Sequence, residues 1–205
     1  MDLVLSHRTQ ILYIADISFV IMYLEVVPGC LVLESGTRSG SLTTSLARAV
    51  APTGHVHTFD FHEQRAASAR DDFERTGLSS LISVRVRDIQ GEGFPNEFAG
   101  LADAVFLDLP QPWLAIPSAE KMLKQYGTLC SFSPCVEQVQ RSEKMENLNG
   151  DNNGSNGSSL PCKRRQRSDG SYAPDSTVSS DMARPCGEAR GHTGFLTFAR
   201  LKFLL

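Results

Sequence analysis

Four apolar runs of strand length, each closed by a carboxylate, constrain this chain more than any other feature. Cys30-Leu31-Val32-Leu33 delivers Glu34, His55-Val56-His57-Thr58-Phe59 delivers Asp60, the run from Leu81 to Val86 ends at Asp88, and Ala102 to Leu107 ends at Asp108. Helical stripes fall between them: Leu42, Leu46 and Val50 on one, Ala66, Ala69 and Phe73 on another. A further stripe, Ile14, Ile17, Ile21 and Leu24, precedes the first run and is stopped by Val26-Val27-Pro28-Gly29. A helix over residues 115–124 then leads to a strand at Thr128-Leu129-Cys130-Ser131-Phe132. This order predicts an α/β fold with an open, mainly parallel sheet covered by helices on both faces.

At 205 residues there is room for one sizeable core. Lys and Arg number 20 against 23 Asp and Glu, a net charge of -3, so a nucleic-acid substrate would require a local basic surface or a basic partner. The apolar stretch over residues 11–27 is broken by Asp16, Ser18 and Glu25, too early to cross a bilayer. The five cysteines are scattered without a CxxC pair, and the alternation of His55 and His57 is that of a strand. The expectation is a soluble intracellular protein with free thiols and no metal site.

The first strand run feeds Glu34-Ser35-Gly36-Thr37-Arg38-Ser39-Gly40-Ser41 and then a helix. Such a turn brings backbone N–H groups and a helix start close to a nucleotide cofactor. Gly36 permits the tight turn, Gly40 a close approach, and Ser39 and Ser41 supply hydroxyls or a cap. Asp60, at the end of the next strand, can accept both ribose hydroxyls of an adenosine. Asp88 is placed to face the adenine amino group. The phosphate-binding pattern GxxxxGK[ST] is absent. Glu34 suits S-adenosylmethionine, with its sulfonium, better than a dinucleotide pyrophosphate, while NAD stays open on fold grounds. Asp108 enters Leu109-Pro110-Gln111-Pro112-Trp113, where prolines restrict the backbone and the indole offers a stacking surface. A carboxylate there can hold an amino-bearing base for methyl transfer.

From these motifs the sequence resembles the catalytic subunits of eukaryotic tRNA (adenine-58-N1) methyltransferases. The likeness is carried by residues 7–13, 34–41, 57–65, 102–110, 130–141 and 191–199. It implies a Rossmann-like class I S-adenosylmethionine-dependent methyltransferase fold, with an incomplete distal sheet, and N1-methylation of adenosine 58 in tRNA. It further implies that Leu12, Ser39, Gly40, Ser41, Asp60, Arg65, Asp88 and Ile89 contact the cofactor and that Asp108 is the catalytic aspartate. Glu34, Gly36 and Asp108 itself join the cofactor-binding set. A nuclear heterotetramer with a non-catalytic, tRNA-binding subunit is also implied.

The sequence departs from that pattern at Arg38, where the family carries glycine, and the small β-rich N-terminal domain of the family is not among the matched segments. The domain expectation is a methyltransferase core over 6–141, a flexible polar linker over 142–190 and a C-terminal strand within 191–205 returning to the core. The linker holds the basic cluster Lys163-Arg164-Arg165-Gln166-Arg167, a candidate nuclear-import signal. Two other functions stay open: an inactive methyltransferase-like interaction subunit, and methyl transfer to another RNA or a small molecule.

Overall fold

The computed structural model describes residues 12–148 and 194–201, with side chains of 143–148 left aside. Six strands form one sheet in the order β3-β2-β1-β4-β5-β6. They are β1 (Leu31–Ser35), β2 (His55–Asp60), β3 (Ile82–Val86), β4 (Ala102–Leu107), β5 (Leu123–Ser133) and β6 (Phe195–Arg200). The first five run parallel and β6 returns antiparallel along β5. The chain therefore reverses its direction of sheet growth between β1 and β4, and the crevice at their carboxyl ends is where open α/β sheets bind ligands.

The helices are α1 (Ile14–Tyr23), α2 (Ser41–Val50), α3 (Glu63–Arg75), α4 (Ile89–Glu92), α5 (Ile116–Met122) and α6 (Val136–Leu148). Strand alternation sorts the core into two layers. Val32, Val56, Ala104, Phe106 and Cys130 meet Ile17, Val20, Leu42, Leu46, Val50, Ala69 and Phe73 from α1, α2 and α3. Leu33, Phe59, Val105, Leu107 and Leu129 meet Phe94, Phe98, Ile116, Ala119 and Met122 on the opposite face. Helices on both faces explain why the central strands read as continuous apolar runs.

Three details differ from the sequence expectation. Ile14 is 74% exposed; of the expected stripe, Ile17 and the C-cap residue Leu24 are buried and Ile21 packs against the core, joined by Val20. The helix expected to reach residue 124 ends at Met122, because Leu123 already pairs with Ala102. The next aligned pair is Ala104 with Thr128, so Lys124, Gln125 and Tyr126 bulge out of the ladder with their side chains exposed. Finally, α6 continues past Arg141 to Leu148. The remainder of the expected linker and its basic cluster lie outside the described residues, whereas β6 occupies the sheet edge.

Candidate active site

The turn after β1 is fixed by close approach. Gly36 has φ +100°, and a Cβ there would lie 2.3 Å from the backbone oxygen of Asp108. The Asp108 N–H donates to the Ser35 carbonyl at 2.8 Å, which ties the end of β4 to the end of β1. Gly40, φ +74°, caps α2 in a left-handed conformation, and a Cβ there would meet the Phe73 ring at 2.8 Å. Both positions require glycine. Ser39 and Ser41 are buried beside them, and the Ser41 N–H reaches the Ser39 hydroxyl at 3.4 Å.

Glu34 is 1% exposed. Thr43 donates to its Oε2 at 2.5 Å, and beside it the Thr37 and Thr58 hydroxyls share a 2.7 Å hydrogen bond. Burial pushes the Glu34 carboxyl up to about 7, against the lowering effect of hydrogen bonds from Thr43 and Thr58 and with further upward pushes from the Asp108 and Asp60 carboxylates. These threonines escaped the sequence reading. Thr58 was legible only as a strand residue and Thr43 only as a polar position on an amphipathic helix.

Two neighbouring cavities open at the carboxyl ends of the strands. The larger, about 250 Å³, is bounded by Asp60, Phe61, His62, Arg65, Arg87, Asp88, Ile89 and Asp108, among others. Asp60 is buried, and its Oδ1 accepts both from the His62 N–H at 2.9 Å and from Arg65 at 3.1 Å. Arg65 also lies over the Phe61 ring, 5.0 Å from its centroid. The Arg65 Nε is buried without a hydrogen-bond partner among the described residues. Asp88 caps α4 by accepting from the Gln90 N–H at 3.0 Å. Phe61, His62 and Arg87 are additions to the sequence-derived set.

The smaller cavity, about 20 Å³, is bounded by Leu12, Glu34, Gly36, Arg38, Ser39, Ser41 and Asp108, among others. Arg38 narrows it. Its Nε lies 2.5 Å from Asp108 Oδ2, and its Nη2 reaches the Asp108 backbone oxygen at 3.4 Å. The residue is itself left-handed, φ +48°. All the expected cofactor residues thus line one or other cavity, except that Gly40 shapes the turn from behind. Trp113 does not serve as an open stacking face. It is half-buried at the edge of the core, lines neither cavity, and has the Arg141 guanidinium 5.2 Å from its ring centroid.

Comparison with known proteins gives the arrangement its context. A protein 41% identical over 97% of this chain, and covered by it over 75% of its own length, is the tRNA (adenine(58)-N(1))-methyltransferase catalytic subunit of Dictyostelium discoideum. The subunit of the same description from Cryptococcus neoformans is 47% identical over 67% of this chain, which spans 32% of that protein. Among solved structures, an S-adenosylmethionine-dependent O-methyltransferase from Thermotoga maritima is 31% identical with a TM-score of 0.71, over 97% of this chain and 69% of its own. The tRNA (m1A58) methyltransferase of Aquifex aeolicus shares the fold at 22% identity and a TM-score of 0.69, over 97% of this chain and 73% of its own. The fold is therefore that of the Rossmann-like class I methyltransferases. With residues 1–153 matching the family model of the tRNA methyltransferase complex GCD14 subunit, the chain belongs to that family.

Proposed function

We propose that this chain is the catalytic subunit of a methyltransferase that modifies N1 of adenosine 58 in tRNA. The observation that carries the reading is the convergence of Asp60 and Asp108 on one cleft beside the Gly36–Gly40 turn, in a chain 41% identical over nearly its whole length to a subunit of that description.

The lining of the larger cavity supports its assignment to the adenosine half of S-adenosylmethionine. Asp60 would hold the ribose hydroxyls, its two protein contacts both falling on Oδ1. Asp88 and Ile89 would bracket the adenine, and the buried, unpaired Arg65 Nε supplies a donor. The amino-acid tail belongs among Leu12, Glu34, Gly36, Ser39 and Ser41. Arg38 lies across that half, but its side chain is 33% exposed and flexible, so a rotation about its stem opens the space.

When bound, the cofactor supplies a methyl group activated by its sulfonium. Asp108 accepts a hydrogen bond from the exocyclic amine of the target adenine, raising electron density at N1. Held in this way, the N1 lone pair would be available to accept the methyl group that the bound cofactor would supply. The positive charge arriving on the base is offset by the neighbouring carboxylate, which can take the amine proton. Alignment and electrostatics do the work. The base must leave its stack to reach Asp108.

The chain's own charge of -3 favours a partner that supplies the tRNA-binding surface, as in the heterotetramer expected from the resemblance. A nuclear location belongs to the same proposal, resting on the basic cluster at 163–167. Neutralising that cluster should shift a tagged chain out of the nucleus. The decisive assay combines the chain with the non-catalytic subunit and tRNA lacking the modification. Methyl incorporation should occur at adenosine 58 and fall at least about 100-fold in Asp108→Ala. Incorporation that survives the substitution removes Asp108 from the chemistry.

A further inference from the structure

Arg38 borders both cavities, and its side chain reaches from the turn after β1 to Asp108 at the end of β4. Its partner Asp108 has a side chain only 8% exposed, so the pair is sheltered on the carboxylate side and open on the guanidinium side. With the pair closed, the larger space measures about 250 Å³ and the space assigned to the tail about 20 Å³. The two halves of the cleft therefore differ in what they admit.

We infer that Arg38 sets the ligand range of the site: closed on Asp108, it admits adenosine thioethers that lack an amino-acid tail and makes any tail-bearing ligand displace the ion pair first. This deepens the methyltransferase reading and rests on its assignment of the adenosine cavity. Two physical contributions separate. Steric occlusion acts on every ligand with the amino-acid tail. Charge acts selectively, because S-adenosylmethionine carries a sulfonium in addition to its zwitterionic tail, whereas S-adenosylhomocysteine is a neutral thioether at that position. A guanidinium beside the reacting centre opposes the first more than the second. The same contact covers Asp108, so displacing Arg38 also removes its ion pair with that carboxylate.

Calorimetric titration of the full chain with three ligands tests this: 5′-methylthioadenosine, S-adenosylhomocysteine and S-adenosylmethionine. The variants are Arg38→Gly, favoured by the left-handed backbone, and Arg38→Met, which keeps bulk without charge. 5′-Methylthioadenosine should bind the wild-type chain, and its affinity should change far less in Arg38→Gly than that of either tail-bearing ligand. Both tail-bearing ligands should gain at least about tenfold in Arg38→Gly, with the larger gain for S-adenosylmethionine. Arg38→Met should improve S-adenosylmethionine relative to S-adenosylhomocysteine while leaving much of the steric block. Equal affinities of wild type and Arg38→Gly for all three ligands overturn the gate while leaving the adenosine cavity standing. Failure of 5′-methylthioadenosine to bind a chain that melts cooperatively overturns the cavity assignment, and the gate with it.

Discussion

Glu34 is a carboxyl whose environment favours its neutral form, and this has a measurable cost in the free chain. The unfolded chain ionises near pH 4.5 and the folded one near 7, so between those values the unfolded state releases its proton first. Stability conferred by the neutral group is thus present below about pH 4.5 and is lost as pH rises to about 7, a change of about 3 kcal/mol. His57 works oppositely: burial, with help from His55 and Arg85, lowers it to about 4, so its contribution is lost as pH falls from 6.5 towards 4. The wild-type profile mixes the two, and Glu34→Gln separates them. Relative to wild type, the variant should gain stability steadily between pH 4.5 and 7, read from denaturant unfolding at several pH values. A difference between the two proteins that stays constant across that window removes Glu34 from the account. At this scale Asp60 and Asp108 were legible because a strand end delivers a side chain to a known edge of the sheet. The Arg38–Asp108 pair was not, since the two are 70 positions apart and only the β1–β4 register brings them together.

The α2 and α3 helices do different things for the site despite sharing one apolar layer. Phe73 of α3 backs the Gly40 turn directly, while Leu46 of α2 is equally buried but is not among the nearest neighbours of a Cβ at Gly40. Phe73→Ala and Leu46→Ala should each cost about 2–5 kcal/mol through the cavities they leave. Only Phe73→Ala should also weaken 5′-methylthioadenosine binding, measured below the onset of unfolding. Equal weakening in both variants would show that the turn responds to general loosening and not to its own support. Most elements could be read from periodicity, since β4 was expected over the residues where it occurs. The errors arose where tertiary pairing overrides local pattern. Lys124-Gln125-Tyr126 reads as a helix end, but Leu123 is captured by Ala102 and the polar residues bulge outwards. The short α4 carries too few residues for a stripe, so its presence rests on the Asp88 cap.

Across the whole molecule, the alternation of strands and helices foretold the parallel sheet, and the run at 194–199 foretold an added edge strand; its antiparallel direction was not readable from so short an apolar segment. That strand is tied on by more than its ladder. Phe198 meets the Tyr23 ring at 5.1 Å, and Arg200 pairs with Glu25, both contacts reaching the end of α1. The register against β5 runs from Thr128–Arg200 to Ser133–Phe195. All of these pairs join described residues of β5 and β6. The molecule should accordingly behave as a two-piece assembly: a synthetic peptide of residues 190–205 added to a chain of residues 1–150 should raise its melting temperature and protect β5 amides from exchange, whereas a peptide with Phe198→Asp should not. Mispairing by even one residue would turn the whole inner face of β6 outwards, so the edge of the sheet is where a single polar substitution costs the most order.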